Sequence, residues 1–518
     1  MALSRIQNMN AYIPSRIGRS TFDGLLLDSN ERLGKTSRAV VNGMVKFVRS
    51  GSIQRYPEYG SLEKTVARYA GVSASSILIT SGSDQAISLI FRTFTDTGDT
   101  VIIPSPTFSM YGITAQMCGN IIRKPAYCGN PVKFPTDDVV ARTTPDVRLI
   151  VICNPNNPTG TLTPLSDIQR IAKNAGNAVI LIDEAYVEFS GLSCVKLLKT
   201  YPNIIITRTF SKAFGLAGAR IGYIIANPIY INELNKLRGP YDVNGLAAVA
   251  ASLALGDTND MKTYVRTVMT RSKPMLETFF SSNGIPFLPS SANFLLIYPD
   301  DAAQTEKILR NNGVLVRKFS SPELKNALRI TIGTLKETKR FIVLYTKYVL
   351  RKNRPASYAF IDRDGTLIYE PPDTFQVNSV NELRILPGVI PGLRKLRKNG
   401  YRLIMITNQD GLGSADNPKD SFMKVQNALL SRLRANGIRF EKILICPHVP
   451  EDACTCRKPN TGLVTRMLSD NRIDKKTSFI CGDRQSDKGF AYNTGISFCP
   501  MKTNGNFLEA IRLRKEAV

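Results

Sequence analysis

Short apolar runs alternate with longer amphipathic segments along most of this 518-residue chain. Residues 76–80 and 148–153 are apolar runs typical of buried strands, and each precedes a segment with helical spacing of apolar residues, 85–94 and 167–175. Residues 178–183 repeat the strand pattern. Strands that alternate with helices predict an α/β chain whose sheets are largely parallel.

A second series of strands begins after a short basic segment that contains a proline. Its apolar runs each end in a polar cluster, and they occupy residues 358–362, 402–408, 442–446 and 478–483. We therefore predict a first part over 1–350, a linker over 351–357 and a second part over 358–518. Because ligands bind at the carboxyl edge of open α/β sheets, each part is expected to have its own site.

The composition limits the chemistry of both sites. The chain has one histidine, His448, and no tryptophan. A metalloprotease His-Glu-x-x-His helix, a three-histidine zinc site and most Ser-His-Asp triads need histidines that this chain lacks. Its 43% hydrophobic and 21% charged residues are typical of globular cores. Catalysis is expected to depend on Lys, Asp, Arg or Cys.

The net charge of +26 and the pI of about 9.7 admit a nucleic-acid or membrane-surface partner. The basic excess is spread over both parts of the chain rather than concentrated in a stripe or tail. We interpret it as a bias of composition that steers small anionic substrates. No nucleic-acid or membrane partner is expected, and no apolar run approaches the length of a membrane span.

The nine cysteines are irregularly spaced, which is typical of a reduced, cytoplasmic protein rather than a disulfide framework. The first 22 residues lack acidic residues and contain three arginines. An organelle signal is therefore the alternative to an N-terminal arm.

Three segments of the first part carry polar residues in a fixed order: Asn154-Pro-Asn-Asn-Pro-Thr-Gly160, Ile182-Asp-Glu-Ala-Tyr186 and Thr209-Phe-Ser-Lys-Ala-Phe214. Together they resemble the fold type I aminotransferases that use pyridoxal phosphate, and in particular the histidinol-phosphate aminotransferases. The resemblance covers roughly residues 10–348. It implies a large and a small domain, pyridoxal 5'-phosphate as cofactor and glutamate as amino donor.

The residue types also fit this chemistry on physical grounds. Removing a proton from an amine-bearing carbon requires a group that accepts the electrons, and a protonated pyridine ring can do so. Asp183 ends a buried strand and can keep the ring nitrogen protonated. Lys212 is predicted to form the Schiff base and then to move the proton as general acid and base. Asn157 and Tyr186 can hydrogen-bond the phenolic oxygen of the cofactor, and Tyr111 can stack on its ring.

Residues 80–85, Thr-Ser-Gly-Ser-Asp-Gln, join a strand to a helix. Amide groups at the start of a helix bind anions, so this segment is expected to hold the cofactor phosphate. The predicted phosphate ligands are Gly82, Ser83, Asp84, Ser211 and Arg220. A plain Gly/Ser turn with an N-cap is the alternative for this segment taken alone.

The resemblance also implies residues that face the substrate and a second subunit. Arg317 and Arg329 match arginines that would bind the substrate anion through their planar forks. Tyr56, in an Arg-Tyr-Pro motif, matches a tyrosine that reaches the cofactor phosphate of the partner subunit. This implies a homodimer formed through the aminotransferase part.

The N-terminal segment resembles the family segment that covers the substrate, and Tyr12 and Asn30 are its matching residues. Residues 30–33 read Asn-Glu-Arg-Leu where the family commonly has Asn-Glu-Asn-Pro. The details of the cover are therefore not predicted.

The second part begins with an apolar strand that leads into Asp362-Arg-Asp-Gly-Thr366. Two aspartates two positions apart before Gly-Thr resemble the haloacid dehalogenase superfamily of phosphatases, which implies a Rossmann-like domain. In this chemistry Asp362 attacks phosphorus, while Asp364 protonates the leaving alkoxide and then activates water. A polar turn after a strand is the alternative for the motif alone.

An anion that attacks another anion needs cations nearby. Mg²⁺, bound by Asp362, Asp483 and the carbonyl group of Asp364, and the ammonium group of Lys458 are predicted to supply them. Asp487 is predicted to support the metal site. The other predicted phosphate ligands are Thr407, Asn408 and Arg457.

Three cysteines and the only histidine lie close together as Cys446, His448, Cys454 and Cys456. Zn²⁺ favours four such ligands in a closed tetrahedral site, so we predict a structural zinc ion here. It would also fix the basic residues that follow Cys456. A buried cysteine pair beside a surface histidine is the alternative.

Zinc loops of this kind occur in histidinol phosphatases and in heptose-bisphosphate phosphatases, and the compact loop resembles the former. Residues 370–377 and 406–413 resemble them as well. The two resemblances predict a bifunctional enzyme of histidine biosynthesis, which transaminates imidazole-acetol phosphate to L-histidinol phosphate and then hydrolyses that ester. One alternative is another aminotransferase fused to a heptose-bisphosphate-type or broad sugar phosphatase. A basic scaffold or nucleic-acid-binding protein with relic sites is the alternative from another class.

Overall fold

The computed structural model describes residues 4–7, 9, 19, 21–129, 132–350, 356–415, 417–469 and 473–516. The chain divides between Leu350 and Arg351 into two compact units, called unit 1 and unit 2 below. Most of the predicted linker lies outside the described residues, and so does Tyr12. None of the helices in the described ranges has the length and apolar character needed to cross a membrane.

Unit 1 contains two sheets. Its strands are β1 Leu25–Leu27, β2 Ile77–Thr80, β3 Thr100–Ile102, β4 Ile121–Arg123, β5 Val147–Cys153, β6 Val179–Asp183, β7 Ile204–Thr209, β8 Gly222–Ala226, β9 Phe294–Ile297, β10 Val314–Lys318 and β11 Leu328–Thr331. Seven strands form a sheet in the order β2-β8-β7-β6-β5-β3-β4, where β8 is antiparallel to both neighbours and the other pairs are parallel. Four form a smaller sheet, β1-β10-β11-β9, in which only the β1–β10 pair is parallel.

The helices of unit 1 surround these sheets. They are α1 Ser4–Gln7, α2 Arg38–Arg49, α3 Gly60–Ala70, α4 Gly82–Phe94, α5 Ser109–Cys118, α6 Thr136–Ala141, α7 Leu165–Asn174, α8 Val187–Ser190, α9 Pro228–Leu237, α10 Gly245–Gly256, α11 Asn259–Thr267, α12 Lys273–Ser282, α13 Ala302–Asn311 and α14 Leu335–Tyr345. The helix predicted over 85–94 begins three residues earlier, because Gly82, Ser83 and Asp84 form the first turn of α4. That turn is the predicted anion-binding segment.

Both faces of the larger sheet are buried. Ile150 and Ile152 pack into the core on one face, and Leu149 and Val151 pack into the core on the other. A strand with two buried faces is apolar along its length, so its polar residues collect at its ends. Asp183 is such a residue, at the carboxyl end of β6.

Unit 2 has one parallel sheet in the order β14-β13-β12-β15-β16. Its strands are β12 Tyr358–Ile361, β13 Arg402–Asn408, β14 Lys442–Cys446, β15 Phe479–Gly482 and β16 Ser497–Pro500. Its helices are α15 Val389–Lys398, α16 Lys419–Ala435, α17 Thr465–Ser469, α18 Gln485–Thr494 and α19 Phe507–Glu516. The carboxyl ends of the three central strands lie side by side, so Asp362, Thr407 and Asp483 meet at one edge of the sheet.

Candidate active sites

A cavity of about 1510 Å³ in unit 1 is lined by the strand-end residues Cys153, Asp183 and Thr209. Strands β10 and β11 of the smaller sheet contribute residues to the same cavity. The predicted residues that line it are Asn30, Ser83, Asp84, Asn157, Asp183, Tyr186, Ser211, Lys212, Arg220, Arg317 and Arg329. The fold thus brings together residues that are up to 299 positions apart, from Asn30 to Arg329.

Asp183 is a buried carboxyl group at the cavity wall, with 3% of its surface exposed. Burial raises its pKa to about 6, although hydrogen bonds, first that from Tyr111, oppose the rise. The Tyr111 hydroxyl donates to Asp183 Oδ2 over 2.5 Å. A carboxylate in such a place is stabilised by a cationic partner, and a protonated ring nitrogen is one.

Asp183→Asn is expected to stabilise the cofactor-free protein by up to roughly 3 kcal/mol at pH 8, while it removes transaminase activity. The folded-state pKa of Asp183 is raised, so the cost of ionising the buried carboxyl group grows as the pH rises from 3.8 to about 6. Asparagine has no such cost. Calorimetry of the unfolding transition of unit 1 at pH 8 and pH 5 measures the gain, which should shrink at pH 5. An equal gain at both pH values would contradict the argument.

Lys212 reaches the N-terminal segment across the cavity. Its Nζ donates to the carbonyl oxygen of Ser29 over 2.9 Å and lies 5.8 Å from the centre of the Tyr186 ring. The Tyr186 hydroxyl accepts a hydrogen bond from Asn30 Nδ2 over 3.0 Å, and burial raises its pKa to about 12. The Lys212 amine and the Tyr186 hydroxyl group therefore face the same cavity, although they belong to different segments of the chain.

The start of α4 forms an anion cradle. Gly82 has a φ of +73°, and a Cβ atom built there would lie 2.7 Å from Arg220 Nη2, so only glycine permits this approach. Arg220 Nη2 also contacts Asp84 Oδ2 over 2.9 Å. Amide groups of a helix start beside a guanidinium group fit a phosphate ester. With Lys212 and Asp183 in the same cavity, the residues present fit pyridoxal phosphate.

Two arginines close the opposite side. Arg329 is buried and donates to Asn157 Oδ1 and to the Asp28 carbonyl oxygen, the latter over 2.7 Å. Its guanidinium group lies 5.5 Å from the centre of the Phe294 ring. Arg317 is its register partner on the neighbouring strand. Two adjacent guanidinium groups at a cavity wall can bind a doubly anionic group.

Two predicted placements differ from what the structure shows. Tyr111 is fully buried and bonded to Asp183, and Phe108 lines the cavity instead, so the predicted stacking by Tyr111 is not the observed arrangement. Gly82 does not line the cavity and acts by letting Arg220 approach. Tyr56 was expected to reach the cofactor of a partner subunit and not this cavity; it is 75% exposed and stacks on Tyr241, and its contact with a partner stays a prediction.

One buried ion pair was missed. Arg208 Nη2 lies 2.7 Å from Glu184 Oε2, with almost no exposed side-chain surface on either residue. Glu184 lies inside one of the motifs quoted above and Arg208 directly precedes another, and the pairing of β6 with β7 brings them together. The ion pair joins the carboxyl end of β6, which carries Asp183, to the end of β7, which Lys212 follows in the chain.

A second cavity, of about 130 Å³, lies in unit 2 at the edge where Asp362 ends the first strand. Lys458 Nζ is 2.5 Å from Asp362 Oδ1, 2.6 Å from Asp487 Oδ1 and 3.2 Å from the Ile406 carbonyl oxygen. Burial opposes the charge on Lys458, but the carboxylates of Asp362 and Asp487 outweigh it and raise the pKa of this lysine. The ammonium group is therefore held in its charged form beside Asp362.

Asp364 is oriented by two neighbours. Arg363 Nη1 donates to both carboxylate oxygens, over 2.7 and 3.0 Å, and Gln409 Nε2 donates to Oδ2 over 2.6 Å. Among the described residues, the acidic cluster consists of Asp362, Asp483 and Asp487, with ligand atoms within 4.8 Å of one another, and the Asp364 carboxylate is not part of it. Asp487 therefore lies among the candidate magnesium ligands rather than behind them, and the Asp364 carboxylate does not. The predicted ligand from Asp364, its carbonyl group, is unaffected by this placement.

Asn408 has a different contact from the predicted one. Its Oδ1 accepts from the Lys458 amide over 3.0 Å, and its Nδ2 donates to the Lys458 carbonyl oxygen over 3.2 Å. The side chain is thus committed to holding the backbone of Lys458. Thr407 also lines the cavity, and its hydroxyl accepts from Gln409 over 2.8 Å.

The four predicted zinc ligands converge. The Cys446 sulfur lies 3.6 Å from that of Cys454 and 3.3 Å from that of Cys456, and the last two are 3.4 Å apart. His448 Nδ1 is 3.2 Å from the Cys456 sulfur and 3.7 Å from that of Cys446. Zn–S bonds of about 2.3 Å in a tetrahedron give S–S edges of roughly 3.8 Å. The donor set and its dimensions therefore fit zinc.

Arg457, which follows the cysteine and histidine cluster, is held by contacts with His448 and with Asp410. Arg457 Nη1 donates to the His448 carbonyl oxygen over 3.0 Å and to Asp410 Oδ1 over 2.5 Å. Sequence reasoning missed Asp410 and the buried Glu370, which pairs with Arg484; both line the cavity. Both lie in the segments 370–377 and 406–413 that were singled out by their resemblance, but the sequence alone does not show that these two side chains face the cavity.

The fold and cavity of unit 1 define a pyridoxal-phosphate-dependent aminotransferase of fold type I, as the sequence predicted. The chain belongs to the aminotransferase class I and II family, whose model matches residues 23–343. A second family model, described as polynucleotide kinase 3 phosphatase, matches residues 357–502.

Relatives of unit 1 include two histidinol-phosphate aminotransferases. The protein of Thermoanaerobacter pseudethanolicus is 34% identical over 314 residues, which are 60% of this chain and 88% of the relative. That of Lactiplantibacillus plantarum is 35% identical over 331 residues, 62% of this chain and 91% of the relative.

Solved structures support the fold. The histidinol-phosphate aminotransferase of Sinorhizobium meliloti, solved in complex with pyridoxal-5'-phosphate, gives a TM-score of 0.60 at 23% identity, covering 66% of this chain and 95% of its own. The aspartate aminotransferase of Thermus thermophilus with maleate gives 0.58 at 20% identity, covering 67% and 99%. At these identities the likeness concerns the fold alone.

Proposed function

We propose that the chain catalyses two consecutive steps of histidine biosynthesis. Unit 1 would transaminate imidazole-acetol phosphate with glutamate, and unit 2 would hydrolyse the resulting L-histidinol phosphate to L-histidinol and phosphate. One observation carries the proposal: an aminotransferase related to enzymes named for a phosphate monoester shares its chain with a cavity suited to phosphate-ester hydrolysis. The product of one site would then be the substrate of the other.

In unit 1, the bound pyridoxal phosphate would accept electrons from the substrate carbon that loses its proton. Asp183 would keep the ring nitrogen protonated, and Asn157 and Tyr186 would hold the phenolic oxygen. Ser83, Asp84, Ser211 and Arg220 would bind the cofactor phosphate. Lys212 would remove and return the substrate proton, since its Nζ faces the cavity.

Substrate recognition in unit 1 would depend on the two arginines. Arg329, fixed by Asn157 and Asp28, offers a preorganised guanidinium group, and Arg317 lies next to it in register. Asn30 would lie over the substrate as part of the N-terminal segment. Its side chain donates to the Tyr186 hydroxyl group, which holds it at the cavity. Preorganised donors bind an anion with little loss of side-chain entropy.

In unit 2, Asp362 would attack phosphorus in line to form an aspartyl-phosphate, and the P–O bond to the alcohol would break. Asp364 would give its proton to the leaving alkoxide and then take one from the water that hydrolyses the aspartyl-phosphate. Arg363 and Gln409 hold Asp364 for this role, and Lys458 would offset the charge of the phosphoryl oxygens. Thr407 and Arg457 would bind the remaining oxygens. The parallel sheet with strand order β14-β13-β12-β15-β16 supports the predicted Rossmann-like, haloacid dehalogenase-type fold.

Two metal ions complete the proposal for unit 2. The oxygen donors of Asp362, Asp483 and Asp487 suit Mg²⁺, which would neutralise charge at the phosphoryl group. The cluster of Cys446, His448, Cys454 and Cys456 would hold a structural Zn²⁺ and so fix the loop that leads to Lys458.

The zinc proposal predicts the behaviour of Cys454→Ser. This variant is expected to lose stoichiometric zinc and to reduce phosphate release by about 10-fold, because loss of the ion releases the loop that positions Lys458, and small misplacements of reacting groups cost up to about 100-fold. Transamination should stay unchanged. Metal analysis and the two activity assays measure this, with Cys128→Ser, an exposed cysteine outside the cluster, as the matched control. Full zinc content in Cys454→Ser would rule out the proposed ligand set.

An exposed apolar face supports a homodimer through unit 1. Val41, Val45 and Val48 lie at helical spacing on α2 and are each more than 40% exposed, and Ile53 and Tyr56, which follow α2 in the chain, are exposed as well. Exposed apolar side chains close together on one helix are typical of subunit contacts. Analytical ultracentrifugation of Val45→Glu should show a monomer where the natural chain sediments as a dimer. A natural chain that is monomeric at micromolar concentration would contradict the proposal.

The phosphatase half is tested by its substrate preference. Phosphate release with Mg²⁺ is compared for L-histidinol phosphate, heptose bisphosphate and an oligonucleotide with a 3'-phosphate. The proposal predicts that histidinol phosphate has the highest kcat/KM. Preference for either of the others would replace the histidinol-phosphatase assignment by a sugar phosphatase or by the activity in the name of the matching family model.

A further inference from the structure

Arg32 replaces the second asparagine of the common Asn-Glu-Asn-Pro pattern, and its side chain crosses to the loop that carries Lys212. Its Nη1 donates to the carbonyl oxygen of Ala213 over 3.3 Å. A Cβ atom at Gly215 would lie 2.9 Å from Arg32 Cδ, and Gly215 has a φ of +74°. The loop can therefore approach the arginine stem only because residue 215 is glycine.

The other end of Arg32 is fixed by α11. Arg32 Nη2 forms a salt bridge with Asp260 Oδ2 over 2.8 Å, and its guanidinium carbon lies 4.6 Å from the centre of the Tyr264 ring. The Tyr264 hydroxyl also accepts a hydrogen bond from the Leu33 amide over 3.3 Å. Only 9% of the Arg32 side chain is exposed. A side chain with three such contacts has one defined geometry.

The segment anchored by Arg32 also contacts the active-site groups. The Ser29 carbonyl oxygen accepts from Lys212 Nζ, and the Asp28 carbonyl oxygen accepts from Arg329. The two segments are therefore linked in both directions: the Lys212 side chain bonds the backbone of the N-terminal segment, and the Arg32 side chain bonds the backbone next to Lys212.

We propose that Arg32 is a positioning residue for Lys212. It holds Ala213, and with it the backbone of the lysine, at a fixed distance from the Ser29 carbonyl group, so the amine is directed into the cavity where it moves the proton. Arg329 keeps a second partner in Asn157, so binding of the substrate anion depends less on Arg32. The consequence is an effect on the rate of turnover rather than on substrate binding.

Arg32→Met keeps the stem and removes the guanidinium group. In the full chain loaded with pyridoxal phosphate, kcat of transamination is expected to fall about 10- to 100-fold, since small misplacements of a reacting group cost this much. KM for both substrates should stay within about 2-fold, because preorganised arginines still bind them. Hydrogen exchange of the cofactor-free protein should be faster in the peptide over 209–216. Lys262→Met is the matched control, because Lys262 is an exposed cation on α11 and its loss should change kcat by less than about 2-fold.

A double-mutant cycle tests the contact between Arg32 and the loop that carries Lys212. Gly215→Ala strains the loop in any background, but it presses on the arginine stem only when Arg32 is present. The loss of kcat caused by Gly215→Ala should therefore be smaller in an Arg32→Ala background. Equal losses in both backgrounds, or a natural kcat in Arg32→Met, would overturn the proposal. If Arg32→Met fails to fold, Arg32→Gln shortens the side chain and removes its charge, and a natural kcat in that variant would overturn the proposal as well.

Discussion

Lys212→Ala is expected to reduce transamination by at least about 10³-fold, while phosphate release from L-histidinol phosphate stays at its natural rate. The amine is the only group proposed to move the substrate proton, and its Nζ faces the cavity of unit 1. A methyl group at this position leaves the cavity intact and removes the base. The two activities are measured separately, as 2-oxoglutarate formed and as phosphate released.

The control for this variant is Lys199→Ala, which removes an exposed lysine of the same unit. It should leave both activities unchanged. Loss of phosphate release in Lys212→Ala would contradict independent sites, and residual transamination above about 10% would assign the proton transfer to another group.

Asp362→Asn is expected to have the reverse effect, with phosphate release reduced by at least about 10³-fold and transamination unchanged. The amide has the shape of the carboxylate but is not a nucleophile. Lys458 keeps Asp487 as a partner, so the cavity should retain its structure. Trapping with radioactive phosphate ester should label the natural chain and not the variant.

Asp373→Asn is the matched control, because Asp373 is exposed in the same unit. It should release phosphate at the natural rate. If Asp362→Asn keeps phosphatase activity, the nucleophile is a different residue and the assignment of the Asp-x-Asp-Gly-Thr motif is wrong.

Much of the first site was predictable because parallel strands with two buried faces place their polar residues at the carboxyl ends. Asp183 follows from this rule alone, and Lys212 from the quoted motif. The fold type I prediction and the cofactor pyridoxal phosphate are confirmed by the family match. The specificity for imidazole-acetol phosphate and glutamate stays a proposal.

Side-chain direction was less predictable, because it depends on which segments approach in the fold. Tyr111 and Asn408 were expected to contact cofactor and phosphate, yet they bond Asp183 and the backbone of Lys458. A tyrosine at this position of the helix has the same sequence pattern whether its ring stacks on the cofactor or is buried in the core. Asn408 directly follows Thr407, and its contact is decided by the position of Lys458, in the loop that follows the cluster of three cysteines and one histidine.

The acidic cluster of unit 2 illustrates the same limit. Asp487 was predicted only to support the metal site, yet its carboxylate lies with those of Asp362 and Asp483. It belongs to the first turn of α18, and Lys458 contacts both its carboxylate and that of Asp362. Three separate segments determine this arrangement, so no local motif predicts it.

The most direct test of the central claim is one assay that starts from imidazole-acetol phosphate and glutamate with the purified chain, pyridoxal phosphate, Mg²⁺ and Zn²⁺. Both sites on one chain predict one equivalent of 2-oxoglutarate and one of phosphate, with phosphate appearing after a lag and L-histidinol as the final product. Formation of 2-oxoglutarate with no phosphate would contradict the second activity, and no 2-oxoglutarate would contradict the first substrate assignment.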